Sequence, residues 1–304
     1  MDWLERMNGA MDYIETHLSG SIDFDQAARI ACCSTSYFQR MFSFITDVPL
    51  SEYIRRRRLT LAAFELQSRD LRVIDIAMKY GYESPEAFSR AFKKMHGVMP
   101  MSARNAGVSL KAYPRMSFHI SIKGDTEISY RIEEKEAIEM FGVSAEINAA
   151  DEQPFVEIPA FWTKCISDGA VARIRKAAGL EENGQINAVL YNNQGKEFSY
   201  MIGYYVPRTG RPDGFEKLSI PPQSYAIFST GLYPGGQGDI HKLWKQIFSE
   251  WFPTCNYEHA DGPEFEMTYD RGNSMYEMEV WIPVVKKSAR SSSLTDSKTH
   301  ASLT

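Results

Sequence analysis

Three things are scarce in this chain of 304 residues, and each scarcity excludes something. Cysteine is the first: Cys32 and Cys33 are adjacent, and Cys165 and Cys255 stand alone. No C-x-x-C pair or Cys/His cluster offers a zinc site, and nothing resembles a disulfide framework, so neither a metal nor a cofactor is expected. Long apolar runs are the second. None approaches the 18 or so residues a membrane helix needs, so no membrane partner is expected. The start, Met1-Asp2-Trp3-Leu4-Glu5-Arg6, has neither the basic region nor the apolar core of a signal peptide, which predicts a cytoplasmic location. The third is positive charge: the formal net charge is −5. Taken whole, that argues against a nucleic-acid partner.

Charge, however, is unevenly spread. Between residues 29 and 104 stand 13 Lys and Arg against seven acids, a basic surplus of six inside an acidic chain. Such sign asymmetry suits a DNA-binding module joined to an acidic regulatory one. A hydrophobic content of 43% and a charged content of 24% are those of a soluble globular protein, and the length allows two separate cores.

Residues 2–106 read as all-α. Leu4, Met7, Met11, Ile14 and Leu18 repeat at helical spacing, and Gly20 ends that helix. Asp23 caps a short helix through Ile30, and Ser34 caps another through Phe44. A long helix spans Leu50 to Leu66, followed by a second short pair, Val73 to Tyr80 and Ser84 to Met95. The second pair repeats the first at an offset of 50: Phe38-Gln39-Arg40-Met41-Phe42 aligns with Phe88-Ser89-Arg90-Ala91-Phe92, Ser34 with Ser84, and Ala27 with Ala77. The repetition defines two helix-turn-helix units joined by a long helix.

A helix that reads the major groove needs a packed inner face and an outer face of polar side chains. Phe38, Met41 and Phe42 are expected to face inward, leaving Thr35, Ser36, Gln39 and Arg40 outside. In the second unit, Phe88, Ala91 and Phe92 face inward while Pro85, Glu86, Ser89 and Arg90 face out. Gln suits adenine, and Arg suits guanine or phosphate. The run Arg55 to Arg58 on the connecting helix is a further candidate for phosphate contact.

After Gly107 the texture changes to period-two alternation, at Ile128-Tyr130-Ile132, Phe198 to Val206 and Met278 to Val284, which predicts strands. Two helices interrupt them: Pro159 to Asp168, with Pro159 near its start, and one after Asp239 that aligns Ile240, Leu243, Trp244, Ile247, Phe248 and Trp251. The order suggests an α+β domain built by tandem duplication. The expected organisation is therefore a DNA-binding domain at 1–107, a linker at 108–123, an α+β domain at 124–287 and a Ser/Thr-rich disordered tail at 288–304.

Two resemblances sharpen this reading. Residues 5–106 resemble the DNA-binding domain of the AraC/XylS family of bacterial transcription regulators. The likeness rests on Ala27-Ala28, Ser34 through Phe42, Arg58-Leu59, Ile74 through Ala77, Gly81-Tyr82, Phe88 through Lys93, and Gly97, Pro100 and Arg104. It implies that Ser36, Gln39 and Arg40 read one half of an asymmetric site and that Glu86, Ser89 and Arg90 read the other. Glu86 departs from the commoner uncharged residue there. Residues 126–285 are similar to the GyrI-like effector-binding domain, through Phe198-x-Tyr200 with Gly203 and Val206, Leu243-Trp244, Trp251-Phe252-Pro253, Gly262-Pro263-Glu264-Phe265-Glu266 and Glu279 through Val284. That resemblance places the ligand-contacting acid at Glu279.

Glu277, Glu279 and Trp281 are expected on one face of the last strand, opposite its apolar face. A carboxylate among aromatic rings would hold a lipophilic or cationic effector by charge and cation–π attraction. Trp162, Tyr191, Tyr200 and Tyr204 are candidate walls, with Trp251 beside them, whereas Trp244 is expected to pack its helix on the sheet. The function so read is sequence-specific DNA binding governed by a small effector, with RNA polymerase as a further possible partner and no catalytic residues. The alternative is a GyrI-like hydrolase fused to a DNA-binding domain, using Glu279 with Tyr191 or Tyr204.

Overall fold

The computed structural model describes residues 3–68, 71–119, 127–149, 153–181, 184–194, 197–208, 212–234 and 240–287. The expected tail at 288–304 and the end of the expected linker lie outside these. The first part is helical: α1 (Trp3–Thr16), α2 (Phe24–Ala31), α3 (Thr35–Thr46), α4 (Leu50–Ser68), α5 (Val73–Lys79) and α6 (Pro85–His96). Side-chain oxygens start three of them by accepting otherwise unpaired backbone N–H groups. Asp23 takes the amides of Asp25 and Gln26, Ser34 that of Tyr37, and Ser84 that of Ala87.

The second part is a single antiparallel sheet with helices on one face. Its elements are β1 (Ser129–Lys135), β2 (Ile138–Asn148), α7 (Gln153–Ser167), α8 (Ala170–Ala178), β3 (Asn187–Gln194), β4 (Glu197–Tyr205), β5 (Glu216–Ile220), β6 (Gln223–Ser229), β7 (Tyr233–Pro234), α9 (Ile240–Gln246), β8 (Tyr257–His259), β9 (Glu264–Asp270) and β10 (Met275–Lys286). After α9 the chain continues as a π turn, Ile247–Trp251, and a last short turn, Phe252–Thr254. Two expectations are corrected here. Pro159 lies inside α7, because the helix starts earlier, with Pro154 in its first turn where no N–H is needed. A helix beyond the two expected, α8, buries Ala170, Val171 and Ile174 between Gly169 and Gly179.

The strand order is β1-β6-β10-β9-β3-β4-β2-β5. Exchanging β1 with β5, β2 with β6, β3 with β9 and β4 with β10 reproduces the same order read backwards. The duplication expected from sequence is thus a pseudo-two-fold whose axis falls between β3 and β9, where Val189 pairs with Phe265. Side chains on β9 alternate across the sheet. Phe265 and Met267 enter the face shared with Tyr225 and Trp281, while Glu264 and Glu266 point to the helix-covered face.

The boundary between the two parts runs through a core rather than around one. Met11, Phe38, Met41 and Phe42 belong to the same apolar cluster as Trp244, Phe248, Trp251, Val280 and Ile282. The second helix-turn-helix unit has its own core of Leu59, Leu66, Ile76, Phe88 and Phe92. Residues 108–119 lack helix or strand but lie against the first part. Phe118 is buried, its amide donates to Asn8 Oδ1 at 2.8 Å, and Asn8 Nδ2 donates to the Phe118 carbonyl at 2.9 Å.

Candidate functional site

The two expected reading helices are in different situations. On α6, Glu86 and Arg90 are exposed and Pro85 and Ser89 partly so, leaving that face open to DNA. On α3, the expected outer face is inside: Thr35 is 6%, Ser36 1%, Gln39 7% and Arg40 5% exposed. The inward placement of Phe38, Met41 and Phe42 is as expected, but a second partner covers the opposite side. α3 packs against β3, α9 and the π turn. Phe44 stacks on Trp244 at 5.6 Å and Tyr37 meets Phe248 edge-on. In this arrangement α3 cannot enter a groove.

The arginine run also divides. Arg57 forms a pair with Glu15 and donates to the Tyr113 carbonyl, and Arg58 donates to the carbonyls of Leu18 and Gly20. Both are committed to holding helices together. Arg55 and Arg56 bond to Glu52 on the same helix and keep about a third of their side-chain surface.

At the junction Arg40 sits in a cage. Its guanidinium donates to the fully buried carboxylate of Glu264. It lies 5.4 Å from the ring centre of Trp244, 5.6 Å from that of Phe198 and 5.8 Å from that of Tyr37. These are cation–π distances. Burial pushes the Glu264 carboxyl up, but the Arg40 charge and His259, with Nε2 at 3.2 Å, outweigh it and hold the group below its usual range. The fit is incomplete: Arg40 Nη1 and Gln39 Oε1 are buried without hydrogen-bond partners among the described residues.

Next to the cage is a second carboxylate. Glu266 accepts from Trp244 Nε1 at 2.9 Å and from the Tyr200 hydroxyl at 3.4 Å, and Tyr200 in turn accepts from Trp162 Nε1 at 3.0 Å. Burial raises its pKa, and the bond from Trp244 and the Arg40 charge offset this only in part. Glu266 borders a mostly apolar cavity of about 210 Å³ that includes Arg40, Phe44, Ile158, Leu190, Ile240 and Trp244 in its lining.

The residues expected to surround the effector are therefore split by the sheet. Trp162 and Tyr200 join Glu266 on the helix-covered face, with Tyr204 packed at the edge of that cluster. Trp281 and Tyr191 belong to the opposite face, where the Tyr191 hydroxyl meets Ser144 Oγ at 3.0 Å. Glu279 is also there, fully engaged by Arg131 Nη1 at 2.6 Å, Trp281 Nε1 at 2.8 Å and the Tyr269 hydroxyl at 3.0 Å. Neither Tyr191 nor Tyr204 bonds to it, as the hydrolase alternative needs. Trp251 packs on Phe228 and Tyr257. Sequence reasoning missed Glu264 and Glu266 as site residues and gave Trp244 a packing role only. The available signal was two acids at i and i+2 on an inward strand face, flanked by Phe265 and Met267.

Two helix-turn-helix units joined to a duplicated sheet domain with a buried acidic and aromatic groove define a ligand-regulated DNA-binding protein. Comparison with known families agrees. Residues 131–284 match the integron-associated effector-binding protein family, and residues 27–106 match a helix-turn-helix domain family. The chain is 42% identical over 88 residues to the HTH-type transcriptional activator AarP of Providencia stuartii, spanning 29% of this chain and 65% of AarP. It is 39% identical over 95 residues to the regulatory protein SoxS of Salmonella typhimurium, spanning 31% of this chain and 89% of SoxS. A solved structure of SAV2435 bound to tetraphenylphosphonium is similar to 52% of this chain and 94% of that one, at 16% identity and a TM-score of 0.43. The chain belongs to the AraC-type family of transcription regulators and carries at its C-terminal end an effector-binding domain of the integron-associated family.

Proposed function

We propose that this regulator reads duplex DNA with Thr35, Ser36, Gln39 and Arg40 on α3 and Pro85, Glu86, Ser89 and Arg90 on α6, and that its effector is a lipophilic organic cation held at Glu266. The observation that carries the second part is the carboxylate of Glu266 bordering an apolar cavity beside Trp244, with Tyr200 and Trp162 behind it. A carboxylate with aromatic neighbours and little water favours a delocalised cation with apolar surface over a strongly hydrated one. The Glu279 assignment gives way to this reading because Arg131 already neutralises that acid.

Such a protein acts by binding rather than by catalysis. In this reading it works beside its DNA in the cytoplasm and contacts RNA polymerase there. The test is calorimetric titration of the full chain with tetraphenylphosphonium and with triphenylphosphine oxide, a neutral molecule of similar shape. The cation is expected to bind and the oxide to bind weakly. Equal binding of the two would remove the charge from the argument. Selecting DNA from a random pool with and without the cation identifies the operator.

A further inference from the structure

The same guanidinium that is expected to read a base is lodged in the groove that is expected to hold the effector. We infer that Arg40 is an internal stand-in for the cationic effector, so that α3 is withheld from DNA until a cation takes its place; this rests on the effector reading above. Four observations support it. Arg40 makes the contacts an organic cation would make, a buried carboxylate and three aromatic rings. It is one wall of the cavity at Glu266, so a ligand there must touch it.

That cavity, about 210 Å³, falls short of the roughly 300–1,000 Å³ usual for ligand pockets, and withdrawal of the Arg40 side chain would enlarge it. Finally, Arg40 Nη1 and Gln39 Oε1, buried and without a hydrogen-bond partner among the described residues, leave the α3 face not fully satisfied where it lies. On DNA both groups find partners in base edges and phosphates. The closed arrangement is thus a competitor that DNA and effector together can displace, while Glu86 and Arg90 on α6 are exposed in it.

Two variants of the full chain test this. In Ser43→Cys, the new thiol lies on the occluded face of α3, at a site 6% exposed, in a tryptic peptide (residues 41–55) with no other cysteine. Its labelling by N-ethylmaleimide should be slow, should accelerate at least tenfold on saturation with tetraphenylphosphonium, and should not respond to triphenylphosphine oxide. Arg40→Met removes the competing charge but keeps an apolar stem. It should bind tetraphenylphosphonium about ten- to a hundredfold more tightly than the unmodified chain, the gain expected if the groove is free only about 1–10% of the time.

Cation binding without faster labelling, or an Arg40→Met affinity equal to or below that of the unmodified chain, overturns the inference. If neither chain binds the cation, the effector reading fails, and the occlusion is judged by Glu264→Gln in the Ser43→Cys background. Faster labelling after the ion pair is broken supports the latch, and unchanged labelling overturns it. Should that variant not fold, Arg40→Met in the same background decides in the same way.

Discussion

Glu266 should make effector binding depend on pH, with a sign that the structure fixes. Burial raises the pKa of this carboxyl even with the Arg40 charge nearby, so near the raised value part of the unliganded population carries a proton on Glu266. A bound cation favours the ionised form and lowers the pKa. Binding therefore releases a proton, and affinity declines as pH falls through the raised pKa, approaching tenfold per pH unit below it. At higher pH the carboxylate is already ionised and affinity levels off. The magnitude follows from Coulomb's law. A cation about 4 Å from the carboxylate gains about 4 kcal/mol at an effective dielectric constant near 20. Part of this is lost because Trp244 and Tyr200 already donate to the acid. Glu266→Gln should thus cost about 1.4–4 kcal/mol, or tenfold to roughly a thousandfold in affinity for tetraphenylphosphonium, and far less for triphenylphosphine oxide. It should also flatten the pH profile. The assay is calorimetry in two buffers of different ionisation enthalpy at several pH values, which counts the protons released. A buffer-independent enthalpy across the range, or an unchanged profile in Glu266→Gln, refutes the assignment.

Three further outcomes are expected. Arg90→Ala, on the open face of α6, should cost about 1–3 kcal/mol on a selected operator if it pairs with guanine, whether or not a cation is present, as read by mobility shift in constant salt. A fragment ending at residue 119 should resist denaturant better than one ending at residue 107. The shorter piece loses the buried ring of Phe118, a side-chain burial of about 1.5–3 kcal/mol, and its two bonds to Asn8; equal midpoints would mean the segment contributes nothing to that domain. Operator DNA should tighten cation binding by the same factor that the cation tightens DNA binding, because coupling between two binding sites is reciprocal. Calorimetry with and without the operator duplex measures that factor.

Much of the fold was legible because local chemistry decides it. Asp23, Ser34 and Ser84 accept backbone amides of the first helical turn, and each starts a helix as expected. Strand alternation likewise marked β4 and β10. What sequence could not give was which surface meets which. The outer face of α3, with Thr35, Ser36, Gln39 and Arg40, reads as exposed for as long as the first domain is considered alone. Its burial depends on Glu264, more than 200 residues away, and no local pattern encodes that pairing. The proposed shift of the effector site from Glu279 to Glu266 has a related reason. Glu279 and Glu266 are both acids on strands beside aromatic residues, and only tertiary contacts separate them. Arg131, on the distant β1, cancels the first, whereas the second borders the cavity. Pro159 misled because proline at a helix start is common, and the true start at Gln153 has no capping serine or aspartate that the structure describes.

One guanidinium with two sets of acceptors is enough to make a switch of this kind. A guanine edge offers Arg40 two hydrogen-bond acceptors in a plane, and the groove offers it a carboxylate and three ring faces. Neither partner can be indifferent to the other, since the side chain cannot occupy both places. The strength of the latch then sets the response. A buried ion pair gains little net stability over its desolvation cost, and here it leaves a donor and an acceptor unpaired. The ion pair is thus a weak element of an interface otherwise held by the apolar cluster that joins Phe38, Met41 and Phe42 to Trp244, Phe248 and Trp251, so opening it needs a ligand that binds the open form more tightly than the closed one. The second unit, with its separate core and open α6 face, can stay on DNA while the first is withheld. Effector control would then act on how many units engage the operator, changing affinity and DNA geometry without requiring the protein to leave its site.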